Sequence, residues 1–170
     1  MNKQTLIDFE SKVANLFNSS NIRAPIHLHG GNEDELLQIF SSITKDDWVF
    51  TSWRSHYHCL LKGVDANRLL ADIVNGMSIS LVYPEHKIYS SAIVGGIIPI
   101  ALGTALGIKK LNLNQKVYLF VGEMTAETGA MIEAHKYSVG HDLPITFITE
   151  DNSKSVCTET SSVWAIDAPT

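Results

Sequence analysis

Val117-Tyr118-Leu119-Phe120-Val121 and, further on, Ile145-Thr146-Phe147-Ile148 are the segments that decide the fold. Both are short and dominated by apolar residues, the pattern of strands buried on both faces. Between them Ala126 to Val139 reads as a helix. Strand, helix and strand in close order make a βαβ unit, whose strands run parallel because the helix carries the chain back. The expected class is α/β, a parallel sheet with helices on both faces.

Upstream, Leu6, Phe9, Val13, Leu16 and Phe17 recur at helical spacing and predict a helix over about 4–18. Asn32 precedes Glu33-Asp34-Glu35 as an N-cap precedes an acidic first turn, and Leu36, Leu37, Ile39 and Phe40 continue that helix. Trp48-Val49-Phe50-Thr51 predicts a strand and Ala66 to Val74 a helix. Pro99 suits a first helical turn, with an apolar run to Ile108 behind it. With no repeat or linker, residues 1–170 read as one domain. The polar stretch 153–170 reads as a loop without a closing element, so the sheet is expected to be completed by a partner or on assembly.

Composition narrows the function classes. The 170 residues are 45% hydrophobic and 18% charged, enough apolar material for a core. Thirteen Lys and Arg against eighteen Asp and Glu give a net charge of −5, with no basic block to meet nucleic acid or an anionic membrane. Two distant cysteines, Cys59 and Cys157, exclude a disulfide scaffold and fit a reducing, cytoplasmic setting. The N-terminal residues lack the apolar core of a signal peptide. Ile88 to Ile108 carries no charge, but its glycines and Pro99 break it too often for a membrane span.

The stretch richest in chemistry runs from Gly122 to Asn152, from the carboxyl end of one predicted strand to that of the next. In a parallel sheet both ends lie on one rim, where ligands bind in open α/β folds. Glu123 and Asn152 would then present oxygen donors together, which suits magnesium and the phosphate oxygens that accompany it. The N-terminus of the intervening helix would favour a phosphate at the same place.

These residues resemble the alpha chain of thiamine-diphosphate-dependent 2-oxo acid dehydrogenases, the decarboxylating component of pyruvate-dehydrogenase-type complexes. The family's Gly-Asp-Gly, spacer and Asn-Asn pattern is matched by Gly122-Glu123-Met124, a 26-residue spacer from Thr125 to Glu150, and Asp151-Asn152. Gly129, Glu133-Ala134 and Leu143-Pro144 also fall where the family has the same residues. Ile26-His27-Leu28 with Gly31 and Glu33 is similar to its active-site histidine segment, and Trp53-Arg54-Ser55-His56 to its Tyr-Arg-x-His run. Ala92-Ile93-Val94-Gly95 is similar to its Gly-Ile-Val-Gly.

The resemblance implies a thiamine-diphosphate-binding fold and a set of roles. Glu123, Asn152 and the backbone oxygen of Lys154 would ligate magnesium. Arg54, with Gly122 and the backbone of Met124 and Thr125, would hold the diphosphate; Trp53 stands in for a family tyrosine. Ala92, Val94 and Gly95 would meet the aminopyrimidine. His27 and His56 are the catalytic candidates, His27 on the substrate side. The implied partners are a small 2-oxo acid, a beta-type subunit supplying the carboxylate that contacts the pyrimidine, and a chain carrying the family's absent C-terminal half.

Three departures accompany that match. Glu123 is one methylene longer than the family aspartate, and Met124 replaces a glycine near the diphosphate. The chain is about half the family's length, and the family's His-Gly-His-Ser segment has no counterpart. A non-catalytic scaffold subunit of the same fold is therefore a second reading. A zinc hydrolase is a third, drawn from His27-Leu28-His29 and His56-Tyr57-His58, which would each chelate if set on strands. His86, His135 and His141 read as solvated, Cys157 as a bystander, and Gly95, Gly96 and Gly103 as packing contacts if no ligand binds. Glu127 and Glu133 read as plain helix residues, Glu133 with a possible role in bracing the metal loop.

Overall fold

The computed structural model describes residues 1–163. Helix α1 (Lys3–Asn18) opens at Asn2, whose side-chain oxygen accepts the Thr5 N–H. It buries Leu6, Phe9 and Val13, and one charged residue, Glu10, among them. Helix α2 (Glu33–Phe40) starts after Asn32 as predicted, but the Asn32 side chain makes no cap. Its Nδ2 donates instead to Glu150 Oε1 at 3.0 Å.

Strand β1 (Trp48–Thr51) leads into α3 (His56–Leu61) and α4 (Ala66–Asp72), which widens into a π-type turn over Ile73–Met77. Strands β2 (Val82–Tyr83) and β3 (Ile88–Ser90) flank a tight turn at Pro84–His86. Helix α5 (Ile97–Lys110) carries Pro99 in its first turn. Strand β4 (Val117–Gly122) is followed by the four-residue α6 (Glu123–Ala126), then α7 (Gly129–Gly140) and strand β5 (Ile145–Glu150). The helix expected from Ala126 is thus broken at Glu127-Thr128, where the Thr128 hydroxyl donates to the Thr125 carbonyl at 2.7 Å. No long helix aims its N-terminus from Gly122, and the expectation of a phosphate held there by a helix end is corrected to a short turn of backbone.

The stretch after residue 152 is not a loop as far as residue 163. Strands β6 (Lys154–Ser155) and β7 (Thr158–Glu159) form a hairpin, and α8 (Thr160–Val163) follows. Ser153 and Val156 take positive φ, 56° and 59°, which tightens a polar stretch that alternation of hydrophobicity does not mark. The remainder of the predicted 153–170 loop lies outside the described residues.

The main sheet has the order β2-β3-β1-β4-β5, parallel except for β2. Because strand side chains alternate, the parallel strands each supply two cores. Val117, Leu119 and Val121 of β4 pack with Ile97, Ala101 and Ala105 of α5 and Met131 and Ala134 of α7. Tyr118 and Phe120 turn the other way, toward Leu6, Leu36, Tyr57 and Leu69 from α1 to α4. Fully burying one such side chain stabilises by roughly 1.5–3 kcal/mol, which is why an unbroken apolar run suits a strand covered twice. Strand β5 pairs with β4 alone among the described residues and exposes Thr146 and Thr149.

From β1 the chain crosses to β3 on one side, then α5 returns it past β1 to β4 on the other. The direction of winding reverses between β1 and β4, and the loops leaving their carboxyl ends part there. The uncharged run from Ile88 divides into β3, a turn and α5. No helix among the described residues is long and apolar enough to cross a membrane.

Candidate functional site

A cleft of ≈ 610 Å³ opens at that reversal. Its walls come from the ends of three parallel strands: Trp53 and Arg54 after β1, Gly122 to Thr125 after β4, and Glu150 to Asn152 at the end of β5. Of the residues singled out in the sequence, Trp53, Arg54, Val94, Gly122, Glu123, Met124, Thr125, Asn152 and Lys154 line this one cleft. Ala92 and Gly95 sit with Val94 on the turn after β3 but are not part of its lining. Gly95 has φ +74°, which a side-chain-bearing residue would adopt only with strain.

The donor chemistry matches an anion bridged by a hard cation. Among the described residues the Arg54 guanidinium makes no hydrogen bond or ion pair, so its fork remains available to phosphate or carboxylate. Trp53 Nε1 and Asn32 Oδ1 are buried in the wall without partners. Glu123 Oε1 accepts the Thr160 hydroxyl at 3.0 Å, and Asn152 Oδ1 accepts the Lys154 N–H at 2.9 Å. Carboxylate and amide oxygens accept more than one contact, so both keep capacity for an ion. Nothing stands within 4 Å of a side chain built on Gly122, leaving room for close approach. Met124 falls inside α6 and is absent from the positive-φ residues, so methionine in place of the family glycine carries no backbone strain.

The catalytic candidates divide. His27 is not part of the cleft lining; it is half-buried beside Trp53, which is, with ring centroids 6.0 Å apart and edge-to-face. Burial, and then the Arg54 charge, push its imidazole below the ordinary histidine value, so it is neutral at pH 7. His56 is fully buried and away from the cleft lining. Its Nδ1 lies 3.1 Å from Glu10 Oε1 and its Nε2 2.9 Å from the Ser78 hydroxyl. His56 starts α3, where residues two apart point in different directions, so it packs under Phe9 while His58 faces the cleft floor. His56 cannot touch a ligand in the cleft, and its catalytic assignment is corrected to a structural one.

The His-x-His pairs do not lie on strands, and neither pair chelates as a pair. One member of each, His29 and His58, meets Glu150 beneath the cleft, with the three candidate ligand atoms within 4.8 Å of one another. Glu10 anchors this group from α1: Oε2 accepts the His29 backbone N–H at 2.7 Å and Oε1 lies 3.2 Å from His29 Nδ1. Burial alone would raise the Glu10 carboxyl, but the bonds from His29 and His56 outweigh it and hold the acid below its usual range. Burial lowers His29 as well. Both directions agree with an ionised Glu10 accepting N–H from a neutral imidazole. Burial would likewise raise Glu150, and the neighbouring His58, His29 and Arg54 bring it below its ordinary value.

Glu10 and Glu150 were not singled out in the sequence. The signal for Glu10 was present: it falls on the buried stripe of Leu6, Phe9 and Val13, where a charge requires partners. Glu133, read as a possible brace for the metal loop, is exposed and lines a separate depression between α5 and α7. His86 contacts the Lys62 carbonyl, whereas His135 and His141 are exposed.

Comparison with known proteins bears on this geometry. The family model described as "Dehydrogenase E1 component" matches residues 1–169. The pyruvate dehydrogenase E1 component subunit alpha of Rickettsia bellii is 29% identical over 160 residues, covering 88% of this chain and 49% of its own length. The mitochondrial testis-specific alpha subunit of Rattus norvegicus is 29% identical over 159 residues, 89% of this chain and 41% of the relative. The chloroplastic alpha-3 subunit of Arabidopsis thaliana is 27% identical over 160 residues, 85% and 37%. The chain therefore spans about half the length, or less, of these curated relatives.

Proposed function

Because the chain belongs to the dehydrogenase E1 component family, we propose that it is an alpha-type subunit of a heteromeric, thiamine-diphosphate-dependent enzyme acting on a 2-oxo acid or a ketose-like substrate. The observation that carries this reading is the convergence of Arg54, Glu123 and Asn152 on one cleft at the winding reversal of a parallel sheet. Homologous alpha subunits support the 2-oxo acid class.

In this reading Glu123, Asn152 and the Lys154 carbonyl hold magnesium, and Arg54 with the backbone of Gly122 to Thr125 holds the diphosphate. Val94, with Ala92 and Gly95 on the same turn, meets the aminopyrimidine. When bound, thiamine diphosphate supplies the nucleophilic carbon and the electron sink that carbon–carbon cleavage next to a keto group requires. The chain's own residues position and shield. Trp53, which lines the cleft, would wall the cofactor with its indole. His27, neutral and packed on Trp53, offers a hydrogen bond to the substrate carbonyl rather than a charge. A beta-type subunit would supply the carboxylate that contacts the pyrimidine. A cytoplasmic location is part of the same reading.

The test is calorimetric titration of thiamine diphosphate with magnesium, with and without the beta-type partner. Arg54→Ala and Asn152→Ala are each expected to weaken binding at least tenfold, about 1.4 kcal/mol. Unchanged affinity in both variants refutes the assignment. A second reading, a scaffold subunit, is favoured by one feature: Glu123 and Asn152 already satisfy Thr160 and Lys154. Absence of cofactor binding with and without the partner would decide for it.

A further inference from the structure

Beneath the proposed diphosphate site lies a second set of donors of different chemistry. We propose that His29, His58 and Glu150 form a transition-metal site, with zinc the ion its donors suit best, separate from the magnesium held at Glu123 and Asn152.

Geometry comes first. His58 Nε2 lies 3.5 Å from Glu150 Oε2, and His29 Nε2 lies 3.9 Å from Glu150 Oε1. Ligand atoms around tetrahedral zinc, each about 2.0–2.1 Å from the ion, are roughly 3.3 Å apart; the three atoms here lie within 4.8 Å of one another, so the two imidazoles must draw together by up to about 1.5 Å to close on a metal. The imidazoles approach from segments far apart in the chain, one before α2 and one on α3, while the carboxylate comes from the end of β5. Nothing in local backbone structure forces these three together.

The second observation is unmet bonding. The His29 and His58 side chains are 2% and 0% exposed. Even so, His29 Nε2 and His58 Nδ1 have no hydrogen-bond partner among the described residues, and His58 Nε2 reaches only Glu150 Oε2 in a long contact of 3.5 Å. Buried polar atoms of this kind are rare and call for an occupant. The contact between His29 Nδ1 and Glu10 assigns the proton to Nδ1, so the Nε2 lone pair faces Glu150. A lone pair opposite a carboxylate, with no proton or cation between them, is repulsive.

The surroundings are those of a metal centre rather than an ion pair. A carboxylate bonded to the far nitrogen of a ligating histidine fixes its tautomer and raises its basicity, the part Glu10 plays here. Asn32 Nδ2 orients Glu150 by donating to Oε1 at 3.0 Å. Phe40 and Phe120 pack around His58, Phe120 at 4.5 Å between centroids, and keep its side dry. Two imidazoles and one carboxylate select zinc or a neighbouring first-row ion over magnesium, which prefers oxygen donors alone. His29 and Glu150 also line the cleft, so a fourth position faces it and is open to water or a ligand oxygen.

The test uses the full chain, stripped with a chelator, and titrated with cobalt(II) and then zinc in the presence of excess magnesium. One equivalent of cobalt should give the visible absorption of a low-coordinate nitrogen–oxygen site, and zinc should displace it. Glu150→Gln preserves shape and should weaken zinc binding at least tenfold, as should His58→Phe, with circular dichroism reporting that each folds. Glu10→Gln should weaken it by about 10–100-fold through His29. His135→Ala and Glu123→Gln should leave it unchanged, and Glu123→Gln separates this site from the magnesium site whatever that variant does to cofactor binding. Equal zinc affinity in Glu150→Gln and the unaltered chain overturns the proposal. So does the absence of stoichiometric uptake, which would instead mark a protonated His29 bridging Glu10 and Glu150.

Discussion

Replacing Glu10 by alanine perturbs a buried carboxylate that holds two histidines in place. Its side chain is 5% exposed and meets three partners: the His29 amide at 2.7 Å, His29 Nδ1 at 3.2 Å and His56 Nδ1 at 3.1 Å. Truncation strands all three. Each abandoned buried donor costs about 1–3 kcal/mol, and breaking a buried charged network as a whole about 3–5 kcal/mol. We take the second figure, since stranded donors share whatever water enters. For a chain of this size each kcal/mol moves the midpoint by about 2–4 °C, so Glu10→Ala should melt roughly 6–20 °C below the unaltered chain. Glu10→Gln keeps one acceptor oxygen and should lose about 1–3 kcal/mol.

The pH dependence follows from the direction of the shift. The native carboxyl titrates below its unfolded value of 4.5. Its contribution is therefore fully present above pH 4.5 and is lost as pH falls through the native value. The gap between unaltered chain and Glu10→Ala, followed by circular dichroism melts from neutral pH downward, should narrow below 4.5. A cost under about 1 kcal/mol at neutral pH, or a gap that does not change with acid, refutes the network.

At the amino-terminal ends of β1 and β4, Asp47 accepts the Thr44 amide at 2.9 Å, the Thr44 hydroxyl at 2.8 Å and the Lys116 amide at 2.8 Å. Asp47→Ala should cost about 2–4 kcal/mol in urea unfolding. Gly76 has φ +88°, and a Cβ there would meet the Ala24 Cβ at 3.3 Å, so Gly76→Ala should destabilise by about 1–3 kcal/mol. Gly129, with open space around it at the start of α7, gives the contrast: Gly129→Ala should stabilise by about 0.4–1 kcal/mol, read in the same melts. Cys59 is buried and its thiol pushed far up by that burial, whereas Cys157 is exposed. A thiol reagent should therefore modify one cysteine in the native chain and two in denaturant.

The sequence revealed most where one physical rule acts alone. Strand β4 was legible because a doubly covered strand needs apolar residues at every position, and α1 because its stripe repeats at 3.6. Glu123 and Asn152 were legible as neighbours because parallel strands bring their carboxyl ends to one rim, whereas Arg54 was placed with them only by the family resemblance. The hairpin at residues 154–159 was not, since two-residue strands carry no period and depend on positive φ at Ser153 and Val156. The break at Glu127-Thr128 had only a local signal, the weak helix formers Thr128 and Gly129 inside an otherwise helical stretch. The pairing of His29 with His58 was hidden for another reason: it depends on α3 being a helix, where His56 and His58 diverge, while the pattern alone suggested a shared strand face.

One polar thread runs from Ser78 through His56, Glu10 and His29 to Glu150, and so ties α1 to the floor of the cleft. Whatever settles beside Glu150 pulls, through His29, on the Glu10 carboxylate that fixes the N-terminal helix. By linkage, an occupant that favours the intact thread must slow the opening of that helix, far from where it binds. Amide exchange along residues 3–18 then becomes a gauge of cleft occupancy that needs no substrate and no turnover.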